Sequence, residues 1–228
     1  MASPTPNWLA QLVAAAGDVS VHELTRFAPP DEAQRQSAVL VLFGEAEHGH
    51  DVLIIERAHD MRSHAGQPAF PGGALDPEDD GPVAAAMREA AEETGLDPSG
   101  VAVLAVLPDL WVPPSGFVVT PVLGWWREPT PVWAVDSAEV ASVHRVPLAD
   151  LTDPANRFLV RHPSGYVGPA FGVCDLVVWG FTGGLLDRLI YLGGWERPWD
   201  RSRIEPLPEP IPGPIVEHLP APRKEADQ

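Results

Sequence analysis

Three glutamates lie close together near the end of one predicted helix. Glu89, Glu92 and Glu93 have the spacing i, i+3 and i+4, which places their carboxylates on one side of a helix over residues 82–94. Like charges at these spacings destabilise a helix by roughly 0.2–0.5 kcal/mol per pair, and the helix dipole disfavours carboxylates in the last turns. A divalent cation relieves both effects, because Mg²⁺ and Mn²⁺ bind converging carboxylate oxygens. The helix by itself fits a metal site and a solvated acidic face equally well.

The helix that carries the glutamates has clear ends, and strand-like runs surround it. Pro82 suits the first helical turn, and Gly95 suits the left-handed position just after the last turn. Further helices are predicted at residues 8–16 and 179–191. The predicted strands occupy residues 37–43, 51–57, 101–107, 118–126, 140–146, 157–161 and 165–173. Strands around two main helices predict an α/β (α+β) fold, such as an α/β/α sandwich.

The composition excludes several classes of protein. The chain has 228 residues, 45% of them hydrophobic and 21% charged, which excludes a disordered or fibrous chain. A formal net charge of -17 repels nucleic acid, and no apolar run is long enough to span a membrane. The N-terminal residues lack the basic region of a signal peptide. The single cysteine, Cys174, excludes a disulfide framework and is expected in the core. We therefore expect a cytoplasmic protein without nucleic-acid or membrane partners.

Three segments are predicted along the chain. Residues 1–36 form an N-terminal helix and a lead-in segment, residues 37–197 the main domain, and residues 198–228 a proline-rich tail with eight of the 27 prolines. Proline at this density favours an extended chain over helix or sheet. The tail is expected to lie along the domain or remain free, and the alternative is a ligand for an aromatic groove on a partner.

A glycine-rich run and an acidic loop precede the glutamate helix. The sequence FPGG at 70–73, followed by REAAEETGL at 88–96, resembles the Nudix box, whose pattern is G-x5-E-x7-R-E-U-x-E-E-x-G-U with U aliphatic. The interval between the two halves is one residue longer than in the pattern, and the loop acid is Asp79 or Asp80. The resemblance implies a Nudix fold, an α/β/α sandwich around a mixed β-sheet, and a hydrolase that uses Mg²⁺ or Mn²⁺.

A second motif lies directly upstream of the box. The run RAHDMRSHAGQPAFPGG at 57–73 is similar to the signature of the coenzyme A diphosphatase branch, although LII at 53–55 stands where that branch has Leu-Leu-Thr. Later landmarks of the branch are resembled by EV at 139–140, VPL at 146–148 and VWGFT at 178–182. The resemblance covers about residues 37–192. It implies cleavage of the diphosphate bond of coenzyme A or acyl-coenzyme A, giving 3′,5′-ADP and 4′-phosphopantetheine or its acyl form.

The resemblance also assigns roles within the box. Glu89, Glu93 and Glu92 hold the metal, and the carbonyl of Gly73 adds a ligand. Arg88 orients the glutamates through an ion pair and does not touch the substrate. The bound metal bridges the phosphates and lowers the pKa of its water, while the charge that builds on the phosphoryl oxygens is stabilised electrostatically.

Residues outside the helix complete the candidate site. Arg57 and Arg62 are expected to bind phosphate and supply the positive charge that the chain otherwise lacks, although Arg62 also fits a surface loop. His64 either binds phosphate or caps a backbone carbonyl, and Phe70 of the same motif is placed with the substrate-binding residues. Glu139 is a candidate general base from a later loop, in competition with the glutamates of the box.

Three alternatives stay open, which concern the role of the tryptophans, the substrate and catalysis itself. Trp125, Trp126 and Trp179 fit core packing better than a shelf for adenine. ADP-ribose or another nucleoside diphosphate derivative is the alternative substrate, since Nudix members with that activity tend to carry a proline where Pro113 and Pro114 lie. A Nudix fold without catalysis, used as a ligand-binding module, is the alternative of another class. The partner in every case is a small molecule, and a homodimer is left open.

Overall fold

Five α-helices lie in the part of the chain that the structure describes. The computed structural model describes residues 5–27, 35–47, 49–60, 64–113, 115–163 and 165–207, so Arg62, Pro114 and the tail beyond residue 207 lie outside the described residues. The α-helices within these ranges are α1 (Ala10–Ala16), α2 (Val21–Leu24), α3 (Gly81–Thr94), α4 (Leu148–Thr152) and α5 (Gly180–Leu192). In the same ranges, no helix has the length and apolar character needed to cross a membrane.

A mixed sheet forms the centre of the molecule. Its strands in the described ranges are β1 (Arg35–Ala46), β2 (Gly49–Arg57), β3 (Pro68–Ala69), β4 (Gly72–Ala74), β5 (Val101–Val106), β6 (Leu110–Val112), β7 (Phe117–Trp126) and β8 (Val140–Pro147). The strand order is β3-β2-β1-β7-β5, with β4 also paired to β1, β6 to β7 and β8 to β2. β1 and β7 are parallel and the other pairs are antiparallel, so the mixed sheet is confirmed.

Helix α3 packs on one face of this sheet. Leu40 and Leu42 of β1 point to that face and are fully buried with Ala86 and Ala90 of α3. Alanines allow the helix axis to approach the sheet closely, and burial of this apolar surface stabilises the contact at about 25 cal/mol per Å². Helix α3 is therefore held rigidly, and the glutamates on its other side have a fixed platform.

The opposite face of the sheet packs against α1 and α5. Val41 and Phe43 alternate with the leucines of β1 and join a cluster that includes Leu12 of α1 and both Leu185 and Leu189 of α5. Both faces of the sheet are thus covered by helices. The predicted α/β/α sandwich is confirmed.

A second, smaller sheet lies beside α5. Its strands in the described ranges are β9 (Arg157–Arg161), β10 (Val167–Val173), β11 (Leu176–Val178) and β12 (Ile204–Pro206), in the order β11-β10-β9-β12. β12 belongs to the predicted proline-rich tail, where sheet structure was not expected. It is a short edge strand paired in parallel with β9, and an edge is where a strand tolerates proline. The proposed segment boundaries at 36 and 197 stay predictions.

A two-residue turn joins β10 to β11. Cys174 and Asp175 have φ angles of 52° and 61°, the backbone required at both central positions of a type I′ hairpin turn. Cys174 is exposed, so its predicted place in the core is wrong. The apolar run that suggested burial continues on both sides, but the tight turn lifts these two residues away from the sheet.

Most predicted elements form close to their expected bounds. The helix predicted over 82–94 is α3, that over 179–191 is α5, and that over 8–16 forms as a 3₁₀ turn (Asn7–Leu9) followed by α1. The seven predicted strands all form, with ends displaced by at most three residues. The short elements α2, α4, β3, β4, β6, β11 and β12 were not predicted, because runs of two to five residues show no periodicity.

A buried ion pair connects the smaller sheet to α5. Arg157 of β9 is 1% exposed and donates a hydrogen bond to Asp187 of α5. Its guanidinium lies 4.7 Å from the ring centroid of Trp199 and 5.2 Å from that of Phe171. Burial lowers the pKa of Arg157, opposed by the charge of Asp187. The pair costs desolvation free energy that is compensated only while both partners are present.

We predict that Asp187→Asn lowers the free energy of unfolding by about 3 kcal/mol, because within the described ranges it leaves the buried charge of Arg157 with only Glu196, whose Oε1 lies 3.7 Å from Nη1. The double variant Arg157→Met/Asp187→Leu should recover most of this loss, since it removes both charges. Glu128→Gln, at a glutamate that is 74% exposed, is the control and should change the free energy by less than about 1 kcal/mol. Urea denaturation measures all three; a single-variant loss as small as the control would contradict the prediction.

Candidate active site

Arg88 is the centre of the charged network on α3. Its Nε and Nη2 donate to Oδ1 and Oδ2 of Asp79 at 3.1 and 2.9 Å, a two-pronged contact. Its Nη1 donates to Glu89 Oε1 and to Glu92 Oε2, both at 3.0 Å. Hydrogen bonding from Arg88 lowers the pKa of Asp79. Asp79 is therefore the loop acid that contacts Arg88, while Asp80 occupies the N-cap position of α3 without a side-chain cap.

The three helix glutamates do not share one environment. The side chain of Glu93 is 6% exposed and that of Glu89 is 20% exposed, and both line one cavity. Glu92 is 58% exposed, turned towards Arg88, and does not line that cavity. Within the described ranges, no cluster of three His, Cys, Asp or Glu side chains has the geometry of a metal site. The expected convergence of three carboxylates is thus reduced to two.

Burial sets the protonation of the two inner carboxyl groups. Desolvation raises the pKa of Glu93 to about 7, opposed by a hydrogen bond from Gly72 and the nearby charge of Arg57. Desolvation also raises the pKa of Glu89, opposed by its contact with Arg88. A buried carboxylate resists ionisation unless a cation is near. The pair therefore favours a positive ion between helix and loop.

Two glycines allow the loop to approach these carboxylates. The amide of Gly72 donates to Glu93 Oε2 at 2.9 Å. A Cβ on Gly73 would lie 2.4 Å from the carboxyl carbon of Glu89, and one on Gly72 would lie 2.3 Å from the carbonyl oxygen of Ala38. Any side chain at 73 would occupy the space in front of Glu89. The space between loop and helix is kept open by the absence of these side chains.

The donors at this place fit a hard divalent cation. Glu89 and Glu93 supply carboxylate oxygens, and the predicted carbonyl ligand, Gly73, lies beside Glu89. Mg²⁺ is usually held by one or two carboxylates, with water and substrate phosphate completing the shell. Thiolates and imidazoles, which select softer metals, are not among these donors. Two carboxylates are sufficient for Mg²⁺ or Mn²⁺, so the loss of Glu92 from the inner set does not argue against the metal.

The phosphate-binding residues predicted upstream take different positions. Arg57, at the end of β2, has its Nη1 3.8 Å from Glu93 Oε1 and lines the cavity. His64 also lines it, with a left-handed backbone (φ 57°) and Nδ1 at 2.7 Å from Gln67 Oε1. Within the described ranges, the imidazole of His64 therefore hydrogen-bonds to a side chain and not to a backbone carbonyl. Phe70 is 2% exposed and forms part of the core and of the cavity wall.

Glu139 lies at the rim of the same cavity. Its side chain is exposed, and its backbone carbonyl accepts a hydrogen bond from Ala58 at 2.9 Å, next to Arg57. Its charge is among the effects that raise the pKa of Glu93, below burial in size. The loop that carries Glu139 thus faces the inner carboxylates, and its role as a general base stays a prediction.

The cavity is larger than the predicted residues account for. Its volume is about 990 Å³, near the upper end for small-molecule sites. Lining residues that the sequence did not single out include Arg26, Phe27, Trp111, His162 and Tyr166. Trp179 packs against the cluster of Phe158 and Val160 as expected, and its partly exposed ring also lines the cavity. The run VWGFT contained this signal, whereas the contribution of residues before β1 depends on the fold and has no local pattern.

Comparison with known proteins identifies the class. The model of the NUDIX domain matches residues 33–166, more than half of the chain, and the chain belongs to the Nudix family.

Individual relatives are similar over part of the chain. The uncharacterized Nudix hydrolase NudL of Cronobacter sakazakii is 47% identical over 118 residues, 51% of this chain and 59% of NudL. NudL of Salmonella newport is 44% identical over 117 residues, with the same coverage. The chain therefore spans about 59% of the length of these relatives. Among solved structures, RenU from M. smegmatis has 21% identity and a TM-score of 0.47, covering 74% of this chain and 91% of RenU. A C. elegans Ap4A hydrolase has 18% identity and a TM-score of 0.47, covering 70% of this chain and 98% of that protein.

We predict opposite outcomes for alanine at the two loop glycines. Gly73→Ala should keep the free energy of unfolding within about 1 kcal/mol, because the obstructed atoms are the movable end of Glu89, yet should lose most activity. Gly72→Ala should lower the free energy by more than about 2 kcal/mol, because the obstructed atoms are backbone of β1. Thermal melts measure the stability of the two variants, and single-turnover hydrolysis measures their activity. A fully active Gly73→Ala protein would show that Glu89 need not occupy this position.

We predict that Glu93→Gln stabilises the metal-free protein at pH 8. A folded pKa of about 7 against an unfolded value of 4.5 means that the folded carboxyl binds its proton more tightly, so wild-type stability falls as pH rises between these values. Glutamine removes that cost while still accepting from Gly72, giving a gain of about 1–3 kcal/mol at pH 8 that shrinks towards pH 4.5.

Urea denaturation in EDTA buffer at both pH values measures this effect. Glu128→Gln, at a glutamate that is 74% exposed, is the control and should show no such pH dependence. A loss of stability at pH 8 in Glu93→Gln would mean that the contacts of the ionised carboxylate outweigh its burial.

Proposed function

We propose that this Nudix-family protein is a diphosphatase that cleaves coenzyme A or acyl-coenzyme A to 3′,5′-ADP and 4′-phosphopantetheine or its acyl form. The observation that carries the proposal is one continuous cavity of about 990 Å³, with Glu89 and Glu93 among its lining residues and with room for much more than a diphosphate. The similarity of residues 57–73 to the coenzyme A diphosphatase signature supports coenzyme A as the substrate. Nudix hydrolases act with divalent metals, and we propose Mg²⁺ or Mn²⁺ here, in a cytoplasmic protein.

The charged residues of the site have separate roles in the proposed hydrolysis. Glu89 and Glu93 would hold the cation, which when bound supplies electrostatic stabilisation of the phosphoryl oxygens and an acidic water. Arg88 fixes Glu89 from outside the cavity by its contact at 3.0 Å and is itself anchored by Asp79. Its role is to position a carboxylate and not to bind substrate.

Arg57 and Glu139 complete the arrangement next to the carboxylates. Arg57 is held 3.8 Å from Glu93 and is 25% exposed, so its guanidinium is available to a phosphate that enters the cavity. Glu139 lines the cavity at its rim, and we propose that it accepts a proton from an attacking water. Phe70 forms a wall that limits access of bulk water, which strengthens charge interactions inside.

Two other functions remain as alternatives. Hydrolysis of ADP-ribose is favoured by Pro113, which lines the cavity near the position where ADP-ribose-cleaving members tend to carry proline. A ligand-binding module without catalysis is disfavoured, because the two inner carboxylates, Glu89 and Glu93, each have an arginine beside them. The experiment must therefore distinguish coenzyme A from ADP-ribose as the substrate.

A substrate panel with product masses tests the proposal. We expect coenzyme A or an acyl-coenzyme A to be hydrolysed with a kcat/KM at least tenfold above those for ADP-ribose, NADH and dNTPs, in the presence of Mg²⁺ or Mn²⁺. The products should have the masses of 3′,5′-ADP and phosphopantetheine. Glu89→Gln should remove most of the activity, and Glu128→Gln, outside the cavity, should keep it. Preference for ADP-ribose in the wild-type protein would refute the coenzyme A assignment.

A further inference from the structure

A second part of the cavity is lined by residues with no role in the diphosphate chemistry. They come from three separate places: the segment before β1, the smaller sheet, and the start of α5. We call this set the ring pocket, and its members are Arg26, Phe27, His162, Tyr166 and Trp179. The hydrogen bonds and ion pairs of Glu89 and Glu93 in the described ranges involve Arg57, Arg88 and Gly72 and none of these residues.

Two rings of the pocket form an aromatic surface. His162 and Trp179 lie with ring centroids 6.0 Å apart and planes inclined by 24°, an offset stack. Burial lowers the pKa of His162, which keeps its imidazole neutral near pH 7. Both side chains are partly exposed and line the cavity, so a flat ligand can reach them. Aromatic surfaces of this kind bind nucleobases by stacking.

A cation lies against two other rings of the ring pocket. The guanidinium of Arg26 is 4.8 Å from the ring centroid of Tyr166 and 5.2 Å from that of Phe27. Among the residues that the structure describes, Arg26 is exposed and makes no ion pair with a carboxylate. Two rings hold the guanidinium without neutralising it. In a chain of net charge -17, such an arginine inside a cavity is suited to an anion.

Tyr166 adds a neutral hydroxyl to the same place. Burial raises the pKa of Tyr166, and the charge of Arg26 opposes that rise. The phenol therefore stays protonated and can donate to a phosphate oxygen or a base. The side chain is braced against Gly168, where a Cβ would lie 2.2 Å from the phenol oxygen. A fixed ring, a hydroxyl and a guanidinium thus converge within one small region.

We propose that the ring pocket binds the phosphorylated purine nucleoside of the substrate, with the purine against Trp179 and His162 and an additional ribose phosphate against Arg26. This inference rests on the proposed function, since coenzyme A carries a 3′-phosphate that ADP-ribose lacks. The pocket then discriminates between the two substrates by an anion contact that only coenzyme A can make.

Binding of the nucleotide product, without hydrolysis, tests the pocket. The probes are 3′,5′-ADP and 5′-AMP, titrated by calorimetry into the full chain in EDTA. We expect the wild-type protein to bind 3′,5′-ADP at least tenfold more tightly than 5′-AMP. Arg26→Ala should abolish that preference by weakening 3′,5′-ADP alone. Trp179→Ala should weaken both nucleotides about tenfold, and Trp179→Phe should restore most of the affinity because it retains a ring.

Matched controls come from outside the cavity. Arg201 lies 4.7 Å from the ring centroid of Trp199, so Arg201→Ala removes a similar arginine–aromatic contact and should leave both affinities unchanged. Trp133 is 57% exposed, and Trp133→Phe should likewise have no effect. Thermal melts verify that each variant is folded, and the phenylalanine variant keeps the test decisive if Trp179→Ala does not fold.

The results that would contradict the ring pocket differ from those that would contradict the proposed function. A tenfold preference that survives in Arg26→Ala, or wild-type affinity in both Trp179 variants, overturns the ring pocket. Weakening by Trp179→Ala of decanoyl-phosphopantetheine but not of 3′,5′-ADP also overturns it, because the pocket would then take the acyl arm. If 3′,5′-ADP binds through Arg26 while coenzyme A is not hydrolysed, the ring pocket stands and the proposed function fails.

Discussion

A carboxyl group held inside the protein is the constraint on which the site depends. Glu93 is almost fully buried, and its ionisation is opposed by desolvation to the extent that its pKa rises to about 7. Among the described residues, the amide of Gly72 and the more distant guanidinium of Arg57 offset this cost. A protein optimised for stability alone would place an apolar residue there. The free energy stored in this arrangement is released when a cation binds, which links metal affinity directly to the burial of one side chain.

The rest of the structure keeps that carboxyl in place. Alanines bring α3 against β1, so the helix cannot turn Glu93 out to solvent without separating from the sheet. The same strand pairs with β4, whose first residue, Gly72, supplies the hydrogen bond. Arg88 restrains Glu89 from the outer side of the helix. Sheet, loop and helix therefore act as one rigid frame, and catalytic groups need such a frame to hold their geometry.

Local patterns predicted the elements of this frame well. Pro82 and Gly95 mark the ends of α3, and Gly95 has the left-handed φ of 68° that its position requires. The arrangement of the glutamates was predicted less well, since spacing alone placed three of them together. On a helix, residues 92 and 93 are about 100° apart, and Arg88, four residues before Glu92, takes the outer carboxylate. Only packing against the sheet decides which of the two points inwards.

Long-range contacts were beyond the reach of local patterns. Trp179 reaches the cavity because the smaller sheet lies beside it, and Arg26 does so because a segment far away in sequence returns to Tyr166. Neither position has a periodic signal. Cys174 is the opposite case. The apolar run around it predicted burial, but the two-residue turn that it forms with Asp175 leaves it exposed.

The parallel pairing of β1 with β7 also governs how the molecule can assemble. Arg35 pairs with Phe117 and Phe43 with Trp125, so the central strand meets its neighbour only after a long stretch of chain has been made. Closing such a large loop costs entropy before any contact repays it, and folding dominated by distant pairings is slow. Until β7 emerges from the ribosome, β1 has two apolar faces and an unpaired edge. The nascent chain is therefore most vulnerable to aggregation through the middle of its synthesis, and the frame around the glutamate-bearing helix α3 is complete only once β7 has been made.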